Sequence, residues 1–301
     1  MLRALTERPE AQSEAALDVM AAADADILVL GDVDWDYGQA GLRALVAGLS
    51  ARGLNYPYAA FPQPVAGLDS GFDLDGDGRL REPEDALGYG RFTGDNGVAV
   101  LSTLPLGAVR DHHDVLWAEH GDPVGLVPEG AEAVLPLASS ALWEVEVAGL
   151  TLVVFALSAP VFDGPEDRNG KRNRDQIAFL SSHAKTVTRP VLIGRLNLDP
   201  IDGDGWREVA QALLADLQDP KPSSAGGATA LNPADHQGDP SLDTANWSEG
   251  PGPLRVDYIL PTKGLDVIGS GVLWPETADP FAQTVDLAGP NRLVWIDLAI
   301  P

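Results

Sequence analysis

Asp73 to Glu84 reads DLDGDGRLREPE, with carboxylates at positions 1, 3, 5 and 12 of the stretch and Gly78 at position 6. From those positions Asp73, Asp75, Asp77 and Glu84 would surround a calcium ion. The backbone carbonyl of Arg79 would add a ligand, and Gly78 would make the turn. The flanking GLDSG does not read as a helix. The spacing therefore predicts a single calcium loop or a solvated acidic turn, not a paired helix–loop–helix unit. A second stretch, Arg189 to Gly205, reads RPVLIGRLNLDPIDGDG. Its apolar run Val191 to Ile193 ends at Gly194 and opens into Asn, Asp and Gly, the pattern of a buried strand carrying side chains to a site at its end. Arg195, the first side chain after that glycine, is a permanent cation with donors only. The turn DPIDGDG lacks a closing Glu and reads as the lead into a helix, with Asp204 as its cap.

The elements that would position these residues follow from periodicity. Leu17, Met20 and Ala21 share a helical face within Ser13 to Ala23, and Ile27 to Leu30 is a buried strand emptying into GDVDWDYG. Leu42, Leu45, Val46 and Leu49 mark a second amphipathic helix. Asn55 to Gly94 has no sustained period and reads as a long functional loop. Val98 to Ser102 is a strand, and WEVEV and LTLVVFAL form a hairpin turning at Ala148 and Gly149. A helix is expected near Gln176 to Ala184 and another over Trp206 to Leu217, with Val209, Leu213 and Leu217 on one face. Pro220 to Gly250 is again aperiodic, and VDYIL, GVLW and LVWIDLAI close the chain as strands. Helices and strands interleave without a linker or repeat, so residues 1–301 are expected to form a single domain.

Bulk chemistry narrows the function classes. The 301 residues are 45% hydrophobic, ample for one large core. There is no cysteine, which excludes disulfides, thiolate metal sites and a Cys nucleophile and leaves the redox compartment open. A net charge of −25 repels polyanions, so nucleic acid is not the expected partner. No apolar run reaches the length of a membrane span. LRALTERPEAQSEAA after Met1 has no apolar core, so no secretory signal is read in the chain as given. Export is an expectation only if the natural start lies further upstream. His112 and His113, in a polar run, read as surface residues.

The motifs NYPY, SGFDLDGDG, NGVAVLS, VFDGPEDRNGKRNRDQI, GDPSLDTANW, LRVDYILP and RLVWIDL occur in this order from about Ala23 to Asp297. Together they make the chain resemble the endonuclease/exonuclease/phosphatase superfamily, in particular its bacterial branch with the FDGPEDRNG run. The resemblance implies an α+β fold, a four-layer α/β/β/α sandwich with its site at one end of two facing sheets. It also implies a first strand, bearing a metal-proximal Asn, with no counterpart upstream of the first helix here. The chemistry it implies is metal-dependent phosphoester hydrolysis: a carboxylate-held magnesium polarises the phosphate, a His–Asp pair handles protons, and an Asp and an Asn orient the attacking water.

Carried over position by position, the metal carboxylate falls on Asp32, the water-orienting Asn on Asn197, and the His-orienting Asp on Asp257. Three positions depart from the pattern. Ala156 stands where a His is expected, Arg195 where an Asp is, and Asn291 where the catalytic His is. The resemblance also puts His236, Asp167 and Asn169 on the cleft wall, a surface place for His236 remaining open. Magnesium is not expected at such a site, and Arg195 is expected to stand in for the ion, paired with Asp32 or with Asp257, or else to point to solvent. The leading expectation is a non-catalytic or strongly impaired member kept as a binding or structural module. The alternatives are a phosphoesterase with a rearranged site and a calcium-stabilised interaction protein.

Overall fold

The structure, a computed structural model, describes residues 1–6 and 10–300. The chain opens with α1 (Leu2–Thr6), α2 (Ala11–Ala23), β1 (Ile27–Val33), α3 (Ala40–Ser50), β2 (Tyr58–Ala60), β3 (Gly97–Ser102) and β4 (Leu106–Asp111). The hairpin β5 (Ala141–Val147) and β6 (Leu150–Ala156) follows, then α4 (Arg168–His183), β7 (Pro190–Arg195), α5 (Arg207–Asp216) and α6 (Ala225–Thr229). Short strands β8 (Ala245–Trp247) and β9 (Gly252–Leu254) precede β10 (Asp257–Pro261), β11 (Asp266–Leu273), α7 (Ala282–Ala288) and β12 (Leu293–Ala299). Five strands form one sheet in the order β10-β7-β6-β5-β4, three form another in the order β1-β3-β2, and β11 pairs with β12. Within the larger sheet only β6 and β7 run parallel.

Side-chain alternation sorts the strands into two buried faces. Val98 and Val100 of β3 pack with Trp143, Val145, Val154 and Ile259 of the larger sheet. Ala99 and Leu101 of β3 turn the other way, onto Leu17 of α2 and Leu42, Leu45 and Leu49 of α3. On the far face of the larger sheet, Leu142, Val153, Phe155 and Leu192 meet Ile177 and Leu180 of α4 and Ala210 and Leu213 of α5. The result is a mixed α/β fold with central sheets flanked by helices. Burial on both faces explains why β3 and β6 read as continuous apolar runs. Ile177 is fully buried, and Ile177→Ala would cost about 2–5 kcal/mol.

Two departures from the sequence reading have physical causes. Helix α4 begins at Arg168 rather than near Gln176 because its first turns bury polar groups, which hides the helical period. Asn173 donates to the carbonyls of Ser158 (2.7 Å) and Leu196 (2.8 Å). Arg172 donates to the carbonyls of Leu87, Pro136, Leu137 and Ala138, and burial lowers its pKa to about 9. Helix α5 has Trp206 at its N-cap with no side-chain cap, so Asp204 does not fill that place. Asp199 holds the preceding turn instead, accepting from the amides of Ile201 (2.7 Å) and Asp202 (2.9 Å). The β5–β6 turn is where the sequence puts it. Ala148 and Gly149 have φ of 50° and 74°, the doubly left-handed form a two-residue hairpin needs, at a strain of roughly 1–2 kcal/mol for the alanine.

Candidate functional site

Strand register builds the site. Arg195 at the end of β7 faces Asp257 on β10 and Ala156 on β6, so three of the positions singled out in the sequence form one cross-strand row. Gly194, one step earlier, lies against Phe155, where an added Cβ would come 1.9 Å from the Phe155 carbonyl oxygen. Only glycine lets β7 approach β6 there, and this close approach sets where Arg195 emerges. Asp32 comes from the other sheet. The β1–β3 register slips between Leu30 and Val33, and Asp32 sits in that bulge with φ of 56°. Bulges re-aim side chains at the ends of strands, and this one turns Asp32 toward β7. Asn291, just before β12, is fixed by a bridge to Ala245.

These four side chains meet. Arg195 donates from Nη1 to Asp32 Oδ2 at 3.1 Å and from Nε to Asp257 Oδ1 at 3.2 Å. Asn291 donates its amide to the other Asp257 oxygen at 2.8 Å, and the Thr244 hydroxyl lies 3.4 Å from that same oxygen. Burial acts to lower the Arg195 pKa, but the carboxylates of Asp257 and Asp32 outweigh it and hold the guanidinium above its ordinary range. Arg195 is 25% exposed and Asp32 58%, so the pair with Asp32 lies at the rim and the pair with Asp257 further in. Asn197, with φ of 57°, donates to the Leu157 carbonyl at 2.6 Å. Its amide fixes the loop after β7.

The residues present do not fit the divalent ion that the family resemblance implies. A cation already occupies the space between Asp32 and Asp257. A second, doubly charged one about 4 Å from the guanidinium would meet a repulsion of roughly 8 kcal/mol at an effective dielectric near 20. The guanidinium stands where an ion held by both carboxylates would have to sit. The cluster does not hold a proton shuttle of the His–Asp kind, since Asn291 neither accepts a proton nor carries charge near neutral pH.

The other sequence candidates disperse. Asp167 immediately precedes α4 and accepts from the indole of Trp206 at 3.1 Å, on one wall of an open groove lined also by Phe162, Asp163, Asp204 and Glu208. Asn169 donates to the Val161 carbonyl at 2.9 Å and so braces the same loop. His236 is not on the surface. Its ring is enclosed between Asp202 (3.4 Å) and Asp243 (3.7 Å). In the acidic loop, Asp73 and Asp75 converge with Asp85, one residue past the expected Glu84. Asp73 accepts from the amides of Gly76 and Gly78, and Asp77 from that of Arg79. His112 and His113 also depart from their surface reading. Each ring is less than one-fifth exposed, His113 against Asp111 and His112 against Glu144. Thr244 was not singled out in the sequence. Its hydroxyl accepts from the amides of Val256 and Asp257, and the only signal was its place in the DTANW run.

Several solved structures share this architecture. An endonuclease/exonuclease/phosphatase from Beutenbergia cavernae DSM 12333 is similar at 20% identity over 96% of this chain, with a TM-score of 0.57. The chain spans 66% of that protein's length. A 3′ phosphatase from Neisseria, bound to a product DNA hairpin, is similar at 17% identity with a TM-score of 0.54, covering 94% of this chain and 92% of that one. An AP endonuclease from Archaeoglobus fulgidus gives 14% identity and a TM-score of 0.51 over 96% and 94% of the two chains. At these identities the likeness carries the fold alone. No curated protein is similar in sequence. The family model described as Endonuclease/Exonuclease/phosphatase family matches residues 3–289, nearly the whole length, and the chain belongs to that family.

Proposed function

We propose that this protein is a member of the endonuclease/exonuclease/phosphatase family in which a guanidinium replaces the catalytic ion, leaving a non-catalytic or strongly impaired module that serves in binding or structure. One observation carries the reading: Arg195 bridges Asp32 and Asp257. Loss of an imidazole at the position of Asn291 removes general acid–base help worth ~10²–10⁴ in rate. Losses among residues acting as a unit do not simply add. The decisive experiment is a screen with Mg²⁺ and Mn²⁺ against p-nitrophenyl phosphate esters and plasmid DNA. No turnover above background is expected. Metal-dependent turnover that disappears in Asp32→Ala would overturn the reading.

A second reading, a phosphoesterase acting on small phosphate esters through Asp32, Asn197, Asp257 and His236, is favoured by the surroundings of Asp243. Burial, and then the neighbouring Asp199, Asp202 and Asp239, push its carboxyl up to about 7, with His236 Nε2 3.7 Å away. A carboxyl raised toward neutrality beside an imidazole offers the components of acid–base catalysis. Small esters suit a chain of charge −25 better than nucleic acid does. Turnover in the same screen that is abolished by His236→Ala would select this reading. Calcium at the acidic loop is compatible with either, and the convergence of Asp73, Asp75 and Asp85 supports it.

A further inference from the structure

On the outer face of the larger sheet, away from Arg195, three side chains from three elements aim at one point. Glu144 lies on β5 between Leu142 and Glu146, on the face that packs against α4. His112 follows the end of β4, and His183 is the last residue of α4. Both imidazoles turn Nε2 onto the same carboxylate oxygen, Glu144 Oε1: His112 at 2.9 Å and His183 in closer contact still. The ligating atoms of all three lie within 4.8 Å of one another. Glu144 is 4% exposed and the two rings 18% and 17%, so the cluster is enclosed with its edge at solvent.

The surroundings hold this arrangement in place. The ring of Phe179, one turn before His183 on α4, stacks on His183 (5.1 Å between centroids, 12° between planes) and meets His112 edge-on at 6.4 Å. The two imidazoles meet edge to face at 4.8 Å. Burial acts to raise the Glu144 pKa, but the contacts from His183 and His112 outweigh it and keep the carboxyl below its ordinary range. One carboxylate oxygen can accept from both imidazoles only if both Nε2 atoms carry protons, or a cation can replace those protons and bind all three atoms at once. The end of α4 adds the negative pole of a helix dipole, which favours a cation there.

We infer that His112, Glu144 and His183 form a divalent transition-metal site of the Zn²⁺ class, pinning the C-terminus of α4 to the β4–β5 edge of the sheet. Two neutral imidazoles and one carboxylate are the donor set such ions take at about 2.0–2.2 Å, with a fourth position left for water. Mg²⁺ and Ca²⁺, which require mostly oxygen ligands, are excluded by the two nitrogens. Arg110, with Nη1 3.7 Å from Glu144 Oε2, is 66% exposed, so its repulsion of any ion there is screened by solvent. The site is separate from the Arg195 cluster. Helix α4 rises about 22 Å between its two ends, and Glu144 lies three residues along β5 from the Ala141–Ala156 pair that marks the Arg195 end.

The test is titration of metal-free protein with Zn²⁺ by calorimetry and with Co²⁺ by visible absorption, with circular dichroism to verify folding of each variant. The wild type is expected to bind one equivalent of Zn²⁺ and to give the d–d bands of low-coordinate Co²⁺. His112→Ala and His183→Ala are each expected to weaken binding by at least about 100-fold, since even residues that only support a ligand are worth 10–100-fold. Excess Mg²⁺ should not compete. As a measurement that needs no variant, Zn²⁺ should shield two of the five histidines from diethylpyrocarbonate. The inference is overturned by an absence of saturable Zn²⁺ binding, by displacement with Mg²⁺, or by binding that survives the double His112→Ala/His183→Ala substitution, which would place the ion on the acidic surface.

Discussion

Asn291 donates to Asp257 Oδ2 at 2.8 Å while Arg195 holds Asp257 Oδ1 at 3.2 Å. The carboxylate that in the family resemblance would orient an imidazole therefore has both oxygens engaged, one by a neutral amide and one by a fixed cation. Asp257 has become the anchor of a hydrogen-bonded cluster that joins the two sheets through Arg195 and Asp32.

Arg195→Ala leaves Asp32 and Asp257 facing each other without a counter-charge. Because Asp32 is more than half exposed, solvent screening limits the cost, and a loss of about 1–3 kcal/mol is expected in denaturant unfolding. The double variant Arg195→Asp with Asn291→His replaces the cation by a carboxylate. Millimolar Mg²⁺ should then raise its melting temperature by roughly 2–4 °C while leaving the wild type unmoved. An unmoved double variant would mean that Arg195 is not what keeps the ion out.

Asp243 titrates near 7 in the fold against an ordinary value of 3.8, because of burial and then the negative neighbours Asp199, Asp202 and Asp239. The folded state thus binds more protons than the unfolded chain between those values. Its contribution to stability is fully present below about 4 and is lost as pH rises through about 7, on the order of 2–4 kcal/mol in all. Asp243→Asn should flatten the stability profile across that window. A variant with the wild-type slope would contradict the assignment.

Two glycines separate conformational need alone, at Gly53, from conformational need with a steric clash added, at Gly194. At Gly53, with φ of 91° and nothing within 4 Å of an added Cβ, alanine should cost about 1–2 kcal/mol from left-handed backbone strain alone. At Gly194 the same change drives a Cβ into the Phe155 carbonyl, and a loss above about 4 kcal/mol is expected. Thermal unfolding of the two variants side by side measures the difference, and equal losses would show that β7 can move away from β6.

Calcium at the acidic loop should give a calorimetric signal that Asp75→Ala and Asp85→Ala both abolish, while Glu84→Ala leaves it intact. That pattern follows from the convergence of Asp85, and not Glu84, with Asp73 and Asp75. If Glu84→Ala alone removed the heat, the loop would close on the ion in the register that its sequence spacing suggests.

Much of the architecture was legible without coordinates where apolar periodicity was strong. Helices α2 and α3, the hairpin turning at Ala148 and Gly149, and strand β7 are where the residue pattern puts them. Legibility failed where buried polar groups replaced apolar ones. The first half of α4 hides its period because Arg172 and Asn173 face inward to loop carbonyls. The short strands β2, β8 and β9 have too few residues to show a period. His112 looked like a surface residue because the string around it is polar, and the partner that encloses it lies 32 residues away.

The sequence by itself determined which chemistry is possible at the strand ends. It placed a cation at Arg195 and an amide at Asn291, and it excluded thiols everywhere. Side-chain identity is a local property, so the string alone reveals it. What only the tertiary structure decided is which groups share a site. Arg195 reaches Asp257 across 62 positions and Asp32 across 163, because sheet register and a bulge in β1 set those distances. The same is true of His112, Glu144 and His183, whose convergence depends on how α4 lies over the sheet. Such packing is fixed by the summed burial of apolar side chains along the helix and strands, and no short segment carries that information.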